Sequence, residues 1–149
     1  MAKAVKQHGR VYTPDYLVKI ILDFDGYDNP DILKKHIIDN SCGDGAFLIE
    51  IVRRYCSLFL AQKHDLFELK EDLETYVHGI ELDVAECNAC VQNLNRVVES
   101  YGLSDLNWNI LNADTLTVNH FNGKMDYVFG NPPYVRVHNL ETSYESVKT

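Results

Sequence analysis

Apolar residues along the chain follow two rhythms. Leu17, Val18, Ile21 and Leu22 recur at the three- and four-residue spacing of a helix. The same spacing returns in Leu48, Ile51, Val52, Tyr55 and Phe59, in Leu66, Leu69 and Leu73, and in Val84, Cys87, Val91, Leu94, Val98 and Tyr101. Between these stretches lie short apolar runs of strand length: Ile37-Ile38-Asp39, residues 76–83, residues 108–114, and Tyr127-Val128-Phe129. The pattern predicts helices over about 14–24, 46–60, 61–75 and 83–101, with four strands interleaved. Thr13 is the expected N-cap of the first helix, with Pro14 at its first position and Asp15 favourable to its dipole. Gly26 and Asn29-Pro30 end that helix, residues 31–35 suit a short helical turn, and Gly102 suits a C-cap. Residues 1–11 are polar and expected to be loose, and residues 135–149 carry no clear element. Strands alternating with helices point to an α/β fold with a parallel sheet.

Composition narrows the class. A chain of 149 residues suits one domain, able to bury about 70% of its unfolded surface. Apolar residues make up 46% and charged residues 24%, as in ordinary globular proteins. No apolar run reaches the ~18 residues of a membrane span, and the first residues lack the apolar core of a signal peptide. A cytoplasmic location is expected. The net charge of −8 argues against a general nucleic-acid clamp, which needs clustered Lys and Arg. It leaves room for an acidic catalytic domain that borrows DNA affinity from elsewhere. Cys87-x-x-Cys90 is one pair where a structural zinc site needs four ligands, so Cys42, Cys56, Cys87 and Cys90 are expected to be buried free thiols, with no metal.

The chemistry gathers at the predicted strand ends. Asp39-x-x-x-Gly43-x-Gly45 joins the first strand to a helix, and glycines there let a backbone approach a ligand closely. The acid suits a cationic amino or sulfonium group better than a pyrophosphate. Glu81 ends the second strand, where a carboxylate can accept from ribose hydroxyls; a helix N-cap, the plainer role, fits Asp83 better. Asp114 ends the third strand, where it can accept from an exocyclic amine. After the fourth strand come Gly130, Asn131, Pro132, Pro133 and Tyr134. The prolines forbid further pairing and leave an amide, a backbone carbonyl and an aromatic face at a strand's carboxyl end. Alone, Asn-Pro-Pro reads as a turn after an edge strand, and Tyr12-Thr13-Pro14 as a capped helix start.

In combination these motifs resemble the γ-class N6-adenine DNA methyltransferases of type II restriction–modification systems. That family runs from a Thr-Pro segment through the glycine loop, the acidic strand end and the adenine-binding Asp to Asn-Pro-Pro-Tyr. All five motifs occur here in that order over residues 10–134. The resemblance implies a Rossmann-like S-adenosylmethionine-dependent methyltransferase sheet with helices on both faces, and S-adenosyl-L-methionine as methyl donor. It implies that Tyr12, Thr13 and Pro14 close over the methionine end, with Asp39, Cys42, Gly43 and Gly45 as the cofactor's bed. Glu81 would hold the ribose and Leu82 the adenine ring, with Asp114 and the Ala113 N–H on the ring's polar edge. The Asn131 side chain and the Pro132 carbonyl would accept both N6 hydrogens of a flipped target adenine, followed by Pro133, with Tyr134 stacked on its face. The implied partners are double-stranded DNA, read by a recognition domain outside these residues, and a cognate restriction endonuclease.

Complete members of that family continue with further strands and the recognition domain. Residues 1–149 are therefore expected to form a single, incomplete catalytic domain, truncated after the fourth strand, with 135–149 opening the next part. Tyr127-Val128-Phe129 would then be an apolar sheet edge, and self-association is expected. Two other functions share the motif. Protein-glutamine and RNA methyltransferases also use Asn-Pro-Pro-Tyr, usually without Thr-Pro directly before the loop. A non-catalytic S-adenosylmethionine-binding fragment is the second alternative.

Overall fold

The computed structural model describes residues 5–7, 10–118 and 123–130, with side chains from Thr13 onward. It opens with a backbone ladder: β1 (Val5–Gln7) pairs antiparallel with β2 (Arg10–Tyr12). This ladder gives regular pairing to residues 5–7, 10 and 11 of the segment 1–11 expected to be loose, the rest of which lies outside the described residues. Helix α1 (Asp15–Phe24) follows. Its cap is Pro14 rather than Thr13: Pro14 is extended at ψ 148°, and its carbonyl accepts from the Leu17 and Val18 N–H groups. The helix therefore begins one residue later than expected, with Asp15 in the first turn. A single 3-10 turn (Pro30–Ile32) leads to β3 (Ile37–Asp39). Next come α2 (Ala46–Gln62), α3 (Leu66–Tyr76), β4 (Val77–Glu81) and α4 (Val84–Glu99). Strand β5 (Asn109–Asn112), a second 3-10 turn (Thr115–Thr117) and β6 (Tyr127–Phe129) complete the described elements.

Strands β3 to β6 form one parallel sheet in the order β5-β4-β3-β6. The chain enters at β3, moves outward through β4 to β5, and returns to the other side of β3 with β6. The order reverses between β3 and β6, where α/β sheets bind ligands. The crossovers β3–α2–α3–β4 and β4–α4–β5 run the same way along the sheet. Right-handed connections then put α2 and α4 on one face, and these helices pack on each other. All four helices feed one continuous core on that face, joined by Ile37, Val77 and Phe129. Of the helices expected on both faces, the described residues supply this one layer.

Local chemistry explains the close packing. A Cβ on Gly79 of β4 would stand 2.9 Å from Leu48 Cδ1 and 2.9 Å from Ile110 Cδ1, so glycine lets α2 settle directly on the sheet. Helices α1 and α4 both end in the 6→1 and 5→2 hydrogen bonds of a Schellman motif. Tyr27 N–H donates to Leu22 O and Gly26 N–H to Asp23 O; Leu103 N–H donates to Val98 O and Gly102 N–H to Glu99 O. In each case the closing apolar pair is buried. Helix α3 carries a buried acid, Asp72. Tyr55 Oη donates to Asp72 Oδ2 at 2.6 Å, and Lys34 Nζ reaches Asp72 Oδ1 at 2.6 Å. That network ties the helix inserted before β4 to the loop before β3.

Helix α4 corrects the apolar stripe. Val84 is 60% exposed, Val91 is only half-buried, Tyr101 lies past the helix end, and the inward face is Cys87, Cys90, Leu94, Val97 and Val98. The stripe starts a turn later because Asp83 caps the helix, its Oδ1 accepting the Glu86 N–H at 2.9 Å.

Candidate active site

The carboxyl ends of β3, β4, β5 and β6 meet around the glycine loop, residues 40–45. The loop first prolongs the β3–β4 pairing, with Cys42 N–H donating to Ile80 O at 3.0 Å. It then turns back on itself, Gly45 N–H donating to Cys42 O at 2.9 Å. Glu81 joins the loop to the end of β4. Its Oε1 accepts the Gly43 N–H at 2.8 Å and its Oε2 the Asp83 N–H at 2.8 Å. These bonds account for a carboxylate that is only 3% exposed.

Asp39 is buried at the end of β3 and accepts the Ser41 N–H at 3.0 Å. Burial, with a smaller contribution from Glu81, pushes its carboxyl up to about 7. Asp44 is also raised, by burial, then by Glu86 and by Asp15 of α1. The first turn of α1, directly after Thr13-Pro14, is therefore within electrostatic reach of the loop. Asp39, Asp44, Glu81 and Glu86 give the site a negative potential suited to a cation.

Cys42 of the loop meets Cys90 of α4, with Cys87 one turn before it on that helix. The Cys42 thiol is raised by its hydrogen bond with Cys90 and by burial, and Cys87 is raised by burial. All four cysteines are free and buried. A protonated thiol is a poor nucleophile, so Cys42 serves packing here.

Strand β5 ends against β4. Ala113 N–H donates to Glu81 O at 3.1 Å, and Asn112 Nδ2 donates to Glu81 O at 3.0 Å and to Leu82 O at 2.8 Å. The Ala113 N–H expected on an adenine ring is thus already engaged, because the parallel ladder runs one residue past β5. Leu82 stands 68% exposed beside this junction. Asp114 is exposed, and its Oδ1 accepts the Leu116 N–H at 3.0 Å, starting the second 3-10 turn.

Asn40 ties three strand ends together. Its N–H donates to Phe129 O at 3.1 Å, and its carbonyl accepts from Thr115 Oγ1. Its side-chain Oδ1 is buried with no hydrogen-bond partner among the described residues. Gly130 follows β6 at φ +131°, a conformation open to glycine. A Cβ there would lie 2.7 Å from Asp39 Oδ1 and 2.6 Å from Asn40 Oδ1. Phe129 stacks on Phe47 of α2 with ring centroids 6.1 Å apart, so the helix that starts at the loop also sets the height of β6.

The structure therefore gathers Asp39, Cys42, Gly43, Gly45, Glu81 and Leu82 around one set of strand ends, with Asp114 following β5. Asn131, Pro132, Pro133 and Tyr134 lie outside the described residues, as does the side chain of Tyr12. Sequence reasoning missed Asn40, Asn93 and Asn112, whose side chains or backbone hold this junction together. Their partners are mostly backbone atoms remote in sequence, and such pairings leave no local pattern.

The model of the family described as N-6 DNA Methylase matches residues 1–147. The chain belongs to the N-6 DNA methylase family. This methylase-family chain is 36% identical over 141 residues to the type II methyltransferase M.BstVI of Geobacillus stearothermophilus, covering 88% of the chain and 25% of the relative. It is 28% identical over 138 residues to the type II methyltransferase M.PaeR7I of Pseudomonas aeruginosa, covering 89% of the chain and 24% of the relative. The chain thus spans about a quarter of the length of the curated relatives it matches. Among solved structures, the type ISP restriction–modification enzyme LlaBIII bound to DNA aligns with a TM-score of 0.62 at 18% identity, over 86% of this chain and 11% of that one. A DrdV–DNA complex aligns with a TM-score of 0.53 at 19% identity, over 92% and 13%. These likenesses show the α/β methyltransferase fold. Among the described residues no helix is long and apolar enough to cross a membrane.

Proposed function

We propose that this chain is the cofactor-binding and base-modifying part of a DNA adenine-N6 methyltransferase in a restriction–modification system, using S-adenosyl-L-methionine. The observation that carries the reading is the meeting of Glu81, Asp39 and the glycine loop beside Gly130, at the point where strand order reverses. Family membership and the type II methyltransferase relatives support it.

The donor set fits such a cofactor. The carboxylates around the loop suit a sulfonium and an ammonium, and Glu81 places a carboxylate at the end of β4, where it would accept from ribose hydroxyls. Leu82 offers an exposed apolar surface for the adenine ring, and Asp114 an acceptor for its amine. When bound, S-adenosylmethionine supplies an electrophilic methyl on a sulfonium that leaves readily.

The protein's remaining task is to prepare the nucleophile. The N6 lone pair of adenine is delocalised into the ring. Asn131 and the Pro132 carbonyl, directly after Gly130, would accept both N6 hydrogens and favour a more pyramidal nitrogen. Tyr134 would stack on the flipped base. Positioning and charge stabilisation then lower the barrier. Double-stranded DNA is the proposed substrate, reached through residues beyond this chain.

Calorimetric titration of the 149-residue chain with S-adenosylhomocysteine tests the cofactor half. Saturable binding that Glu81→Ala weakens at least tenfold supports it; absence of binding by a folded chain counts against it. Methyl transfer by a relative-length chain to DNA, compared with protein and RNA acceptors, tests the substrate.

A further inference from the structure

Helix α4 belongs to no motif of the chain, yet one strip of it moulds the glycine loop. Glu86, Cys90 and Asn93 lie along one side of α4, three or four residues apart. A Cβ on Gly43 would lie 3.8 Å from Glu86 Oε2, and one on Gly45 3.1 Å from Cys90 Sγ. Asn93 Nδ2 donates to the Asp44 carbonyl at 2.8 Å, across 49 residues of sequence.

The direction of that amide is fixed independently. Arg96 Nη1 lies 2.8 Å from Asn93 Oδ1. A guanidinium can only donate, so the amide oxygen must face Arg96 and the NH2 must face Asp44. The peptide between Asp44 and Gly45 is then gripped at both ends. Its carbonyl is held by Asn93, and its N–H donates to Cys42 O at 2.9 Å. A peptide unit is planar, so two bonds on opposite edges set its rotation. Its orientation in turn sets where the Asp44 N–H and the first N–H groups of α2 point. Within the loop the Gly45–Cys42 bond holds one edge of this peptide, and the N-cap of α2, Gly45, has no side chain to hold the other.

We infer that Asn93 is a positioning residue for ligand binding at the glycine loop, and that Arg96 sets the direction of its amide. The ligand half of this inference rests on the cofactor reading above. The hold on the loop does not.

The decisive variant is Asn93→Asp. The carboxylate keeps the shape and pairs with Arg96 at least as well. It can no longer donate, and it sets an oxygen against the Asp44 carbonyl. Expected are an unchanged melting temperature, hydrogen exchange at amides 43–48 faster by about tenfold, and S-adenosylhomocysteine binding weaker by about fivefold to tenfold. Asn93→Leu should reproduce the exchange and binding changes, and Arg96→Ala should show them at about twofold to threefold. Loop exchange and affinity equal to wild type would overturn the inference. So would faster exchange spread evenly over sheet and helices, which marks a general loss of structure. If wild type binds no S-adenosylhomocysteine, the cofactor reading fails and the ligand half falls with it. The exchange result then still decides whether Asn93 holds the loop.

Discussion

Glu81 accepts the Gly43 N–H at 2.8 Å, so the acidic end of β4 and the glycine loop after β3 form one unit before any ligand arrives. The bond predicts a double effect of substitution. Glu81→Ala should leave the Gly43 and Asp83 N–H groups without their acceptor, costing about 1–3 kcal/mol of stability. Ligand affinity should fall at least tenfold. Glu81→Gln should fall between, since its NH2 must face one of the two donors. Thermal melts and calorimetry on the three chains check the order.

Asp39 predicts a pH dependence. Its carboxyl is raised from an ordinary 3.8 to about 7, mainly by burial. A raised group contributes stability that is full below the ordinary value and lost as pH rises through the folded value. The free chain should therefore lose stability between about pH 4 and pH 7 through this group. Asp39→Asn should remove that slope and melt higher than wild type at pH 8. An ammonium-bearing ligand favours the ionised form, so binding below pH 7 should release a proton and tighten as pH rises to 7. Calorimetry in buffers of different ionisation enthalpy measures the release.

Gly130 predicts a steric effect at the start of the Asn-Pro-Pro-Tyr stretch. A methyl group there meets Asp39 Oδ1 and Asn40 Oδ1 at 2.7 and 2.6 Å, in a backbone region that side chains avoid. Gly130→Ala should cost about 2–3 kcal/mol, read as a lower urea midpoint. An unchanged midpoint would show that β6 can shift away from β3.

Strand β6 stands at the edge of the described sheet, and Val128, facing away from α2, is 58% exposed. The chain should self-associate with concentration, and Val128→Lys should suppress this. Light scattering behind size-exclusion chromatography checks both.

Much of this was legible in the sequence. β3 and β6 fall on the residues expected, because short apolar runs bounded by Gly, Asn and Pro admit few registers. Asp83 caps α4, and Glu81 sits at the loop, as residue chemistry required. Errors arose where backbone geometry decides. Pro14 displaced Thr13 as the cap because it is extended, and the β1–β2 hairpin has no apolar alternation to announce it. Ala113 lost its free N–H to a ladder one residue longer than its strand. Asn40, Asn93 and Asn112 act on groups 30 to 89 residues away, and asparagine in isolation has no preferred distant partner.

The sheet order also dictates a schedule of assembly. Residues 37–112 run consecutively through β3, β4 and β5, so these three strands can pair once that stretch has left the ribosome. β6 pairs with β3 across some ninety residues and must pay a long loop closure to dock. Along the nascent chain, the proposed pocket for the methyl donor precedes the strand proposed to present the methyl acceptor.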